Sequence, residues 1–130
     1  MDSLEQRIIR LEAIEAIKQL KSHYALCADA KYTEDHQRKP QEEIDKIAWD
    51  QVSGFTEDAF WDNGLFGAFD GKTAIWEFLR ATPWKFSVHM YMNPLITIED
   101  QKATGSWAVS YTHLRAHETE ADLVCRLLLE

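Results

Sequence analysis

The stretch SVHMYMNPLITIEDQKATGSW, which covers Ser87–Trp107, decides the fold. Polar and apolar residues alternate from Phe86 to Met92, which is the two-residue period of a β-strand. Asn93-Pro94 breaks the pattern, and because proline lacks the donor that a strand ladder needs, we expect a bulge or bend there. The elements predicted after it are a strand over Leu95–Ile98, a turn over Glu99–Lys102 and a further strand that starts over Ala103–Ala108.

The alternation gives the first of these strands two chemically different sides. The polar side carries Ser87, His89, Tyr91 and Asn93, and the apolar side carries Val88, Met90 and Met92. We expect the apolar side to pack and the polar side to face either solvent or a wet cavity. A histidine can exchange a proton at neutral pH, but surface or structural histidines are more common. The spacing alone therefore favours a structural role for His89.

Upstream, apolar residues recur at steps of three and four, which predicts one face of a long amphipathic helix. Ser3 and Gln6 form a capping box at its start. The stripe consists of Leu4, Ile8, Leu11, Ile14, Ile17, Leu20, Tyr24 and Cys27. Tyr24 should turn its ring inward, as a core aromatic whose hydroxyl needs a partner. Asp29 can face the same cavity only if the helix bends or ends near Ala28; otherwise it is a solvated helix terminus.

The remaining elements complete an α+β pattern. Lys31–Lys39 is a polar loop, and a second helix is expected from Pro40 to Gly54 with Ile44, Ile47, Ala48 and Val52 turned inward. Asn63-Gly64 predicts a hairpin between strands at Ala59–Asp62 and Leu65–Phe69, followed by a short helix from Asp70 or Thr73 through Leu79. This order favours helices packed on one face of a curved antiparallel sheet.

Composition limits the classes of partner. The chain has 130 residues and a net charge of −8, and an acidic surface disfavours nucleic acid and anionic membranes. Its two cysteines give neither a disulfide framework nor a zinc spacing. The start MDSLEQR lacks the pattern of a secretory signal, and no apolar run is long enough to span a bilayer. We therefore expect a soluble, cytoplasmic, single-domain protein without a metal.

A junction between two unrelated segments of sequence is predicted near Ala108. The segment that follows, Val109–Glu130, reads VSYTHLRAHETEADLVCRLLLE and resembles the translation of a transposon-type sequencing-library adapter. Such a scar is excluded from functional reasoning. The prediction is an incomplete domain over residues 1–108, without its last strands, and a non-native tail over residues 109–130. Within the tail, Ser110–Leu114 is expected to extend the last strand and Leu123–Leu129 to form a short apolar helix.

Three motifs in order resemble a known family. They are IEAIKQLKSHYALCAD at Ile14–Asp29, FTEDAFWD at Phe55–Asp62, and the stretch Ser87–Trp107. Residues 11–108 resemble the SnoaL-like branch of the nuclear transport factor 2-like superfamily, nearest to the bile-acid 7α-dehydratases. The resemblance implies a cone-shaped α+β fold, in which a curved antiparallel or mixed sheet wraps around N-terminal helices and encloses an apolar pocket, here C-terminally truncated. It also implies a homodimer or homotrimer for an intact member.

The resemblance implies a site as well. The dehydratase's Tyr, Asp and His fall on Tyr24, Asp29 and His89, while its further acid falls at about Tyr111, where this chain lacks one. Candidate substrate-binding walls are Trp61, Phe69, Tyr91 and Trp107. The implied activity is dehydration or isomerisation of a small apolar substrate, a polycyclic or steroid-like hydroxy-ketone, by acid–base chemistry without a cofactor. The alternatives are a non-catalytic ligand-binding or dimerisation module of the same fold and an inactive truncated fragment.

Overall fold

The computed structural model describes the backbone of residues 1–114 and 121–129 and the side chains of residues 1–112. Its elements are α1 (Leu4–Asp29), α2 (Gln41–Gln51), a 3₁₀ turn (Val52–Gly54), β1 (Phe60–Asp62), β2 (Ala68–Asp70), α3 (Lys72–Arg80), β3 (Phe86–Glu99), β4 (Lys102–Leu114) and β5 (Ala121–Leu129). β1 pairs with β2, and β3, β4 and β5 form a second sheet in that order, with every pairing antiparallel. The predicted α+β class is confirmed.

α1 begins and ends where its chemistry requires. The Ser3 hydroxyl accepts a hydrogen bond from the Gln6 N–H at 3.1 Å, and the Gln6 side chain accepts one from the Ser3 N–H at 2.8 Å, which confirms the capping box. The expectation that the whole apolar stripe points inward is wrong. Leu4 and Leu11 are 69% and 65% exposed, because the contacts of α1 with α2 and β3 bury side chains only in its C-terminal half. None of the helices within the described ranges is long and apolar enough to cross a membrane.

The core lies where α2, the 3₁₀ turn and α3 meet. Its centre consists of Ala48, Val52, Ile75 and Leu79. Of the four residues predicted to face inward from the second helix, Ile44, Ala48 and Val52 are buried and Ile47 is half-buried. At the edge, the Arg80 guanidinium donates two hydrogen bonds to the Asp45 carboxylate, at 2.7 and 2.9 Å. These bonds, with one from Gln41, hold the pKa of Asp45 below its usual value. α2 and α3 therefore form one unit that supports the loop segments between them.

The β1–β2 hairpin is confirmed, with shorter strands than expected. Asn63-Gly64 lies in the connection, and Gly64 has a φ of 76°, a conformation that glycine adopts without strain. The Asp62 carboxylate accepts a hydrogen bond from the Gly64 N–H at 2.8 Å, which fixes the turn. The extra residues in the connection shift β2 to Ala68–Asp70 and the following helix to Lys72.

β3 presents its polar side to the interior, contrary to the expectation that its apolar side packs. Ser87 is 2% exposed, whereas Val88, Met90 and Met92 are 40%, 53% and 40% exposed. The reason is that α1 crosses the polar side, where its last residue, Asp29, hydrogen-bonds to the strand. The pairing of β3 with β4 shifts register between Met92 and Leu95, and Asn93 has a φ of 53°. The predicted bulge is confirmed.

The segment after Ala108 continues the sheet. β4 runs on to Leu114, as predicted for Ser110–Leu114. The short helix expected at Leu123–Leu129 is wrong, because β5 occupies this range and pairs with β4 from Gly105 opposite Leu129 to His113 opposite Ala121. The free backbone groups along the outer edge of β4 explain this choice, since a strand satisfies them and a helix does not. Residues 115–120 and 130 of the predicted tail lie outside the described residues.

Candidate active site

A cavity of about 840 Å³ lies between the C-terminal half of α1, the end of α2, the β1–β2 hairpin and the inner side of β3. Ligand pockets have volumes of roughly 300–1,000 Å³ and combine apolar walls with a few polar groups. Tyr24 and His89 both line this cavity, whereas Asp29 is not among its lining residues and lies behind His89. The three side chains predicted as catalytic are therefore close together, with two of them facing the same space.

Asp29 holds His89 at two points. One carboxylate oxygen lies 2.7 Å from the His89 Nδ1, and the other accepts a hydrogen bond from the His89 backbone N–H at 2.9 Å. The Ser87 hydroxyl donates a weaker bond to the same carboxylate at 3.4 Å. The two side chains are only 14% and 28% exposed for His89 and Asp29 respectively. Since α1 ends at Asp29, the helix terminus brings the carboxylate to the start of β3.

This contact assigns the protons of the pair. An ionised carboxylate can only accept hydrogen bonds, so the Nδ1 of His89 carries a proton. In the neutral ring Nε2 is then the nitrogen without a proton, and it can accept one. A carboxylate in this position fixes the tautomer and orientation of the ring and stabilises the imidazolium once it forms. The geometry is that of an oriented general base.

Tyr24 is a hydrogen-bond donor to the cavity. Its ring is enclosed by Phe55 and Tyr91, each in an edge-to-face arrangement with centroids 6.2 Å away. Burial raises the pKa of the Tyr24 phenol well above its ordinary value, against a smaller opposing effect of the Gln51 amide. The hydroxyl therefore stays protonated throughout the neutral range and can stabilise a negative oxygen on a ligand.

Gln51 is a cavity-lining residue that the sequence reasoning missed. It is 2% exposed, and neither its amide nitrogen nor its amide oxygen makes a hydrogen bond of normal geometry with the described residues. The amide lies close enough to the Tyr24 hydroxyl to lower the pKa of Tyr24 slightly, but the amide itself is left without a hydrogen bond of normal geometry. The sequence spacing could have indicated its burial, because Gln51 follows the buried Ile44 and Ala48 of α2 at helical steps of four and three residues. An unbonded buried amide costs folding free energy unless a ligand completes it.

Two lysines also line the cavity and were not predicted. Lys21 is 8% exposed as a residue, and its ammonium lies over the ring of Tyr91 at 4.4 Å, with the rings of Tyr24 and Trp107 at 5.3 and 5.4 Å. The Lys31 ammonium donates a hydrogen bond to the Leu79 carbonyl at 2.8 Å. Burial, with a smaller effect of Arg38, lowers the pKa of Lys31 to about 8. Both groups give the cavity a positive potential that favours electron-rich ligands.

The four predicted wall residues divide into two pairs. Trp61 and Tyr91 line the cavity, whereas Phe69 and Trp107 are not among its lining residues. Phe69 packs against the core with Phe78, at a centroid distance of 4.6 Å. Trp107 is 3% exposed and lies against Gly105 instead. Both rings fill the interior because their positions on the strands turn them towards neighbouring apolar surface.

Tyr111 occupies the position at which the resemblance places a further acid. Its ring stacks on the imidazole of His89, with centroids 5.8 Å apart and planes 26° from parallel, and it lines the cavity. An aromatic neighbour can hold the imidazole plane but cannot carry a negative charge at neutral pH. Of the four acid–base residues that the resemblance implies, the chain therefore has Tyr24, Asp29 and His89 but not the further acid.

The chain also matches the sequence pattern of a known protein family. The model of the SnoaL-like domain matches residues 44–129. The chain belongs to the SnoaL-like family. The match includes the end of α2, both sheets and most of the segment after Ala108. No curated protein matches the chain at significant similarity.

Solved structures show the same fold at low identity. A protein from Novosphingobium aromaticivorans, provisionally assigned as a scytalone dehydratase, matches with a TM-score of 0.70 and 16% identity over 92% of this chain and 72% of that one. An NTF2-like protein with a cystatin-like fold from the same organism has a TM-score of 0.65 and 17% identity, over 98% and 80%. A type 2 hexachlorocyclohexane dehydrochlorinase, LinA, has a TM-score of 0.65 and 13% identity, over 95% and 93%. The NTF2-like fold is shared, and each identity is too low to transfer an activity.

Proposed function

We propose that this SnoaL-like protein is a small-molecule dehydratase or isomerase that acts on a polycyclic or steroid-like hydroxy-ketone. One observation carries the proposal. The Asp29 carboxylate fixes the His89 ring through Nδ1 at 2.7 Å and the strand backbone at 2.9 Å, while His89 lines a cavity of about 840 Å³. Catalytic bases are held in this way, because the rigid ring presents one defined proton acceptor to the substrate.

The elimination needs only proton transfers by these side chains. His89 Nε2 takes the proton on the carbon next to the substrate carbonyl, and the C–H electron pair delocalises into an enolate. Tyr24 donates a hydrogen bond to the enolate oxygen. The enolate then reforms the carbonyl as the carbon–carbon double bond forms and the neighbouring C–OH bond breaks. The leaving hydroxyl takes the proton back from His89 and departs as water, which restores the neutral imidazole. Return of the proton to a different carbon gives isomerisation.

The walls of the cavity support a flat or polycyclic substrate. Trp61 and Tyr91 present aromatic surface, while Gln51 and Lys21 add polar groups to the same space. Two of the similar structures are named for eliminations, of water and of hydrogen chloride. This likeness favours elimination within the proposal, and the resemblance to bile-acid 7α-dehydratases favours a steroid nucleus.

The test measures turnover and affinity separately. A suitable probe is 4-hydroxy-2-tetralone, a bicyclic β-hydroxy-ketone whose dehydration gives fluorescent 2-naphthol; a steroid with a hydroxyl vinylogous to an enone tests the larger ring system. His89→Ala should lower the rate of product formation by about a hundredfold or more, while its affinity for the probe stays within a few-fold of the wild-type value. The matched control is His36→Asn, because His36 is an exposed histidine with a φ of 59°, a conformation that asparagine tolerates.

The outcomes separate the competing functions. An unchanged rate in His89→Ala would refute the enzyme hypothesis. Binding of either probe without turnover in the wild-type chain would support the ligand-binding module instead. If the wild-type chain shows neither binding nor turnover of the probes, the inactive-fragment alternative is favoured.

A further inference from the structure

Three side chains of types that bind metals meet where α1 and α2 pack together. His23 and Cys27 are one turn apart on α1, and Asp50 comes from the last turn of α2. The Cys27 Sγ lies 3.5 Å from the His23 Nε2 and 3.7 Å from one Asp50 oxygen, and the other Asp50 oxygen lies 3.1 Å from the same His23 nitrogen. The three ligand atoms all lie within 4.8 Å of one another.

These separations fit the face of a metal tetrahedron. Zn–S bonds of about 2.3 Å and Zn–N or Zn–O bonds of about 2.0–2.1 Å at tetrahedral angles place the ligand atoms roughly 3.3–3.6 Å apart. The His23 Nε2 lies at distances close to these values from the Cys27 Sγ, 3.5 Å, and from one Asp50 oxygen, 3.1 Å. The 3.7 Å distance from the Sγ is to the other Asp50 oxygen, so coordination by a single oxygen requires a small rotation of this exposed carboxylate. We propose that His23, Cys27 and Asp50 form a zinc-binding site whose fourth position is open to water.

Access and charge agree with this assignment. The side chains of His23 and Asp50 are 43% and 61% exposed, so an ion can enter from solvent, whereas Cys27 is 6% exposed and forms the inner ligand. A thiolate and a carboxylate together neutralise a divalent cation, and the thiol proton passes to solvent on binding. Thiolate and imidazole ligands select zinc over magnesium and calcium, which prefer oxygen ligands.

The site would connect metal binding to the cavity. His23 itself lines the cavity and directly precedes Tyr24, and Asp50 directly precedes the cavity-lining Gln51. A metal that joins His23 and Asp50 would therefore restrain the two helices beside the cavity. The inference does not depend on the proposed reaction, because the bound metal would not touch the cavity's base.

Cobalt(II) is the direct probe, since it replaces zinc in tetrahedral sites and absorbs light when a thiolate binds it. Metal-free wild-type protein titrated with Co²⁺ should develop a thiolate-to-cobalt charge-transfer band and visible tetrahedral bands at one equivalent, and Zn²⁺ should displace them. Cys27→Ser should remove the band, and Asp50→Asn and His23→Gln should each weaken affinity by about tenfold or more. The control is Cys125→Ser, which removes the other cysteine of the sequence and should retain the spectrum.

A thermal melt gives a second readout that needs no activity. One equivalent of Zn²⁺ should raise the Tm of the wild type and of Cys125→Ser by several degrees, and of Asp50→Asn much less. Asp50 is an exposed residue, so its substitution leaves the fold intact and keeps the test decisive. Absence of a thiolate band in the wild type, or a band that persists in Cys27→Ser, would overturn the assignment.

Discussion

Lys31 should make this protein more stable as the pH rises from 7 to 9. The residue is 2% exposed, and its ammonium donates a hydrogen bond to the Leu79 carbonyl at 2.8 Å. Burial lowers its pKa from 10.5 to about 8. Below pH 8 both the folded and unfolded states carry the charge, so the folded state bears the full penalty, about 3 kcal/mol from the difference in pKa.

The sign follows from proton binding. Between pH 8 and 10.5 the unfolded chain keeps the Lys31 proton that the folded chain has released, so the free energy of unfolding increases with pH. The two pKa values give a gain of about 1 kcal/mol between pH 7 and 9. Cys27 acts in the opposite direction, because burial and the neighbouring Asp50 raise its pKa from 9.0 to about 11. That effect begins near pH 8 and removes only about 0.4 kcal/mol of the gain by pH 9. The raised pKa of Tyr24 acts at still higher pH.

Urea unfolding followed by fluorescence of the five tryptophans at pH 7, 8 and 9 measures this slope. The wild type should gain stability over the interval, whereas Lys31→Met should show no gain, because its side chain has no proton to release. Lys46→Met, at an exposed position of α2, should keep the wild-type slope. A wild type whose stability is constant or falls between pH 7 and 9, or a Lys31→Met variant with the same rise, would refute the reasoning.

Three further outcomes are expected. Asp29→Asn should retain the fold but lower kcat for the tetralone probe by roughly a thousandfold, since the amide cannot stabilise the imidazolium or fix its tautomer; a normal kcat would show that His89 needs no partner. Gln51→Met should raise the free energy of unfolding by about 1 kcal/mol, because an unbonded amide leaves the interior, yet bind the probe more weakly; reduced stability in urea would identify the amide as structural instead. For the predicted non-native tail, resequencing the gene beyond the codon for Ala108 should give a strand-like sequence with an acid near position 111, and recovery of SYTHLRAHET would contradict it.

The fold was largely predictable because its signals are local. The alternation in β3, the interruption at Asn93-Pro94 and the turn residues at Asn63-Gly64 each determine backbone conformation through nearest neighbours. Two errors have a common origin. Which side of β3 is buried, and whether the start of α1 is covered, both depend on the elements that pack against them. Periodicity predicts that an element has an apolar face, but it does not predict which element covers that face.

The site was only partly predictable. Periodicity left Asp29 undecided, because its contact with His89 requires α1 to end at that residue and β3 to begin beside it. The resemblance supplied what local pattern lacked. His23 and Cys27 are spaced by one helical turn, but the third candidate metal ligand, Asp50, lies on another helix. Such a set becomes visible only after the two helices are packed.

The buried polar side chains give the strongest argument that this interior is a site rather than a core. Within the described part of the chain they are Lys21, Lys31, Gln51, Thr82 and Ser87, and each of them lines the cavity. Burial of polar groups costs free energy that a purely structural core avoids by using apolar residues. The usual rule that polar sides face out therefore fails here for a physical reason, because the inner surface lines a cavity rather than a dry core. The polar side of β3 faces inward because Asp29, at the end of α1, makes hydrogen bonds with Ser87 and His89 there.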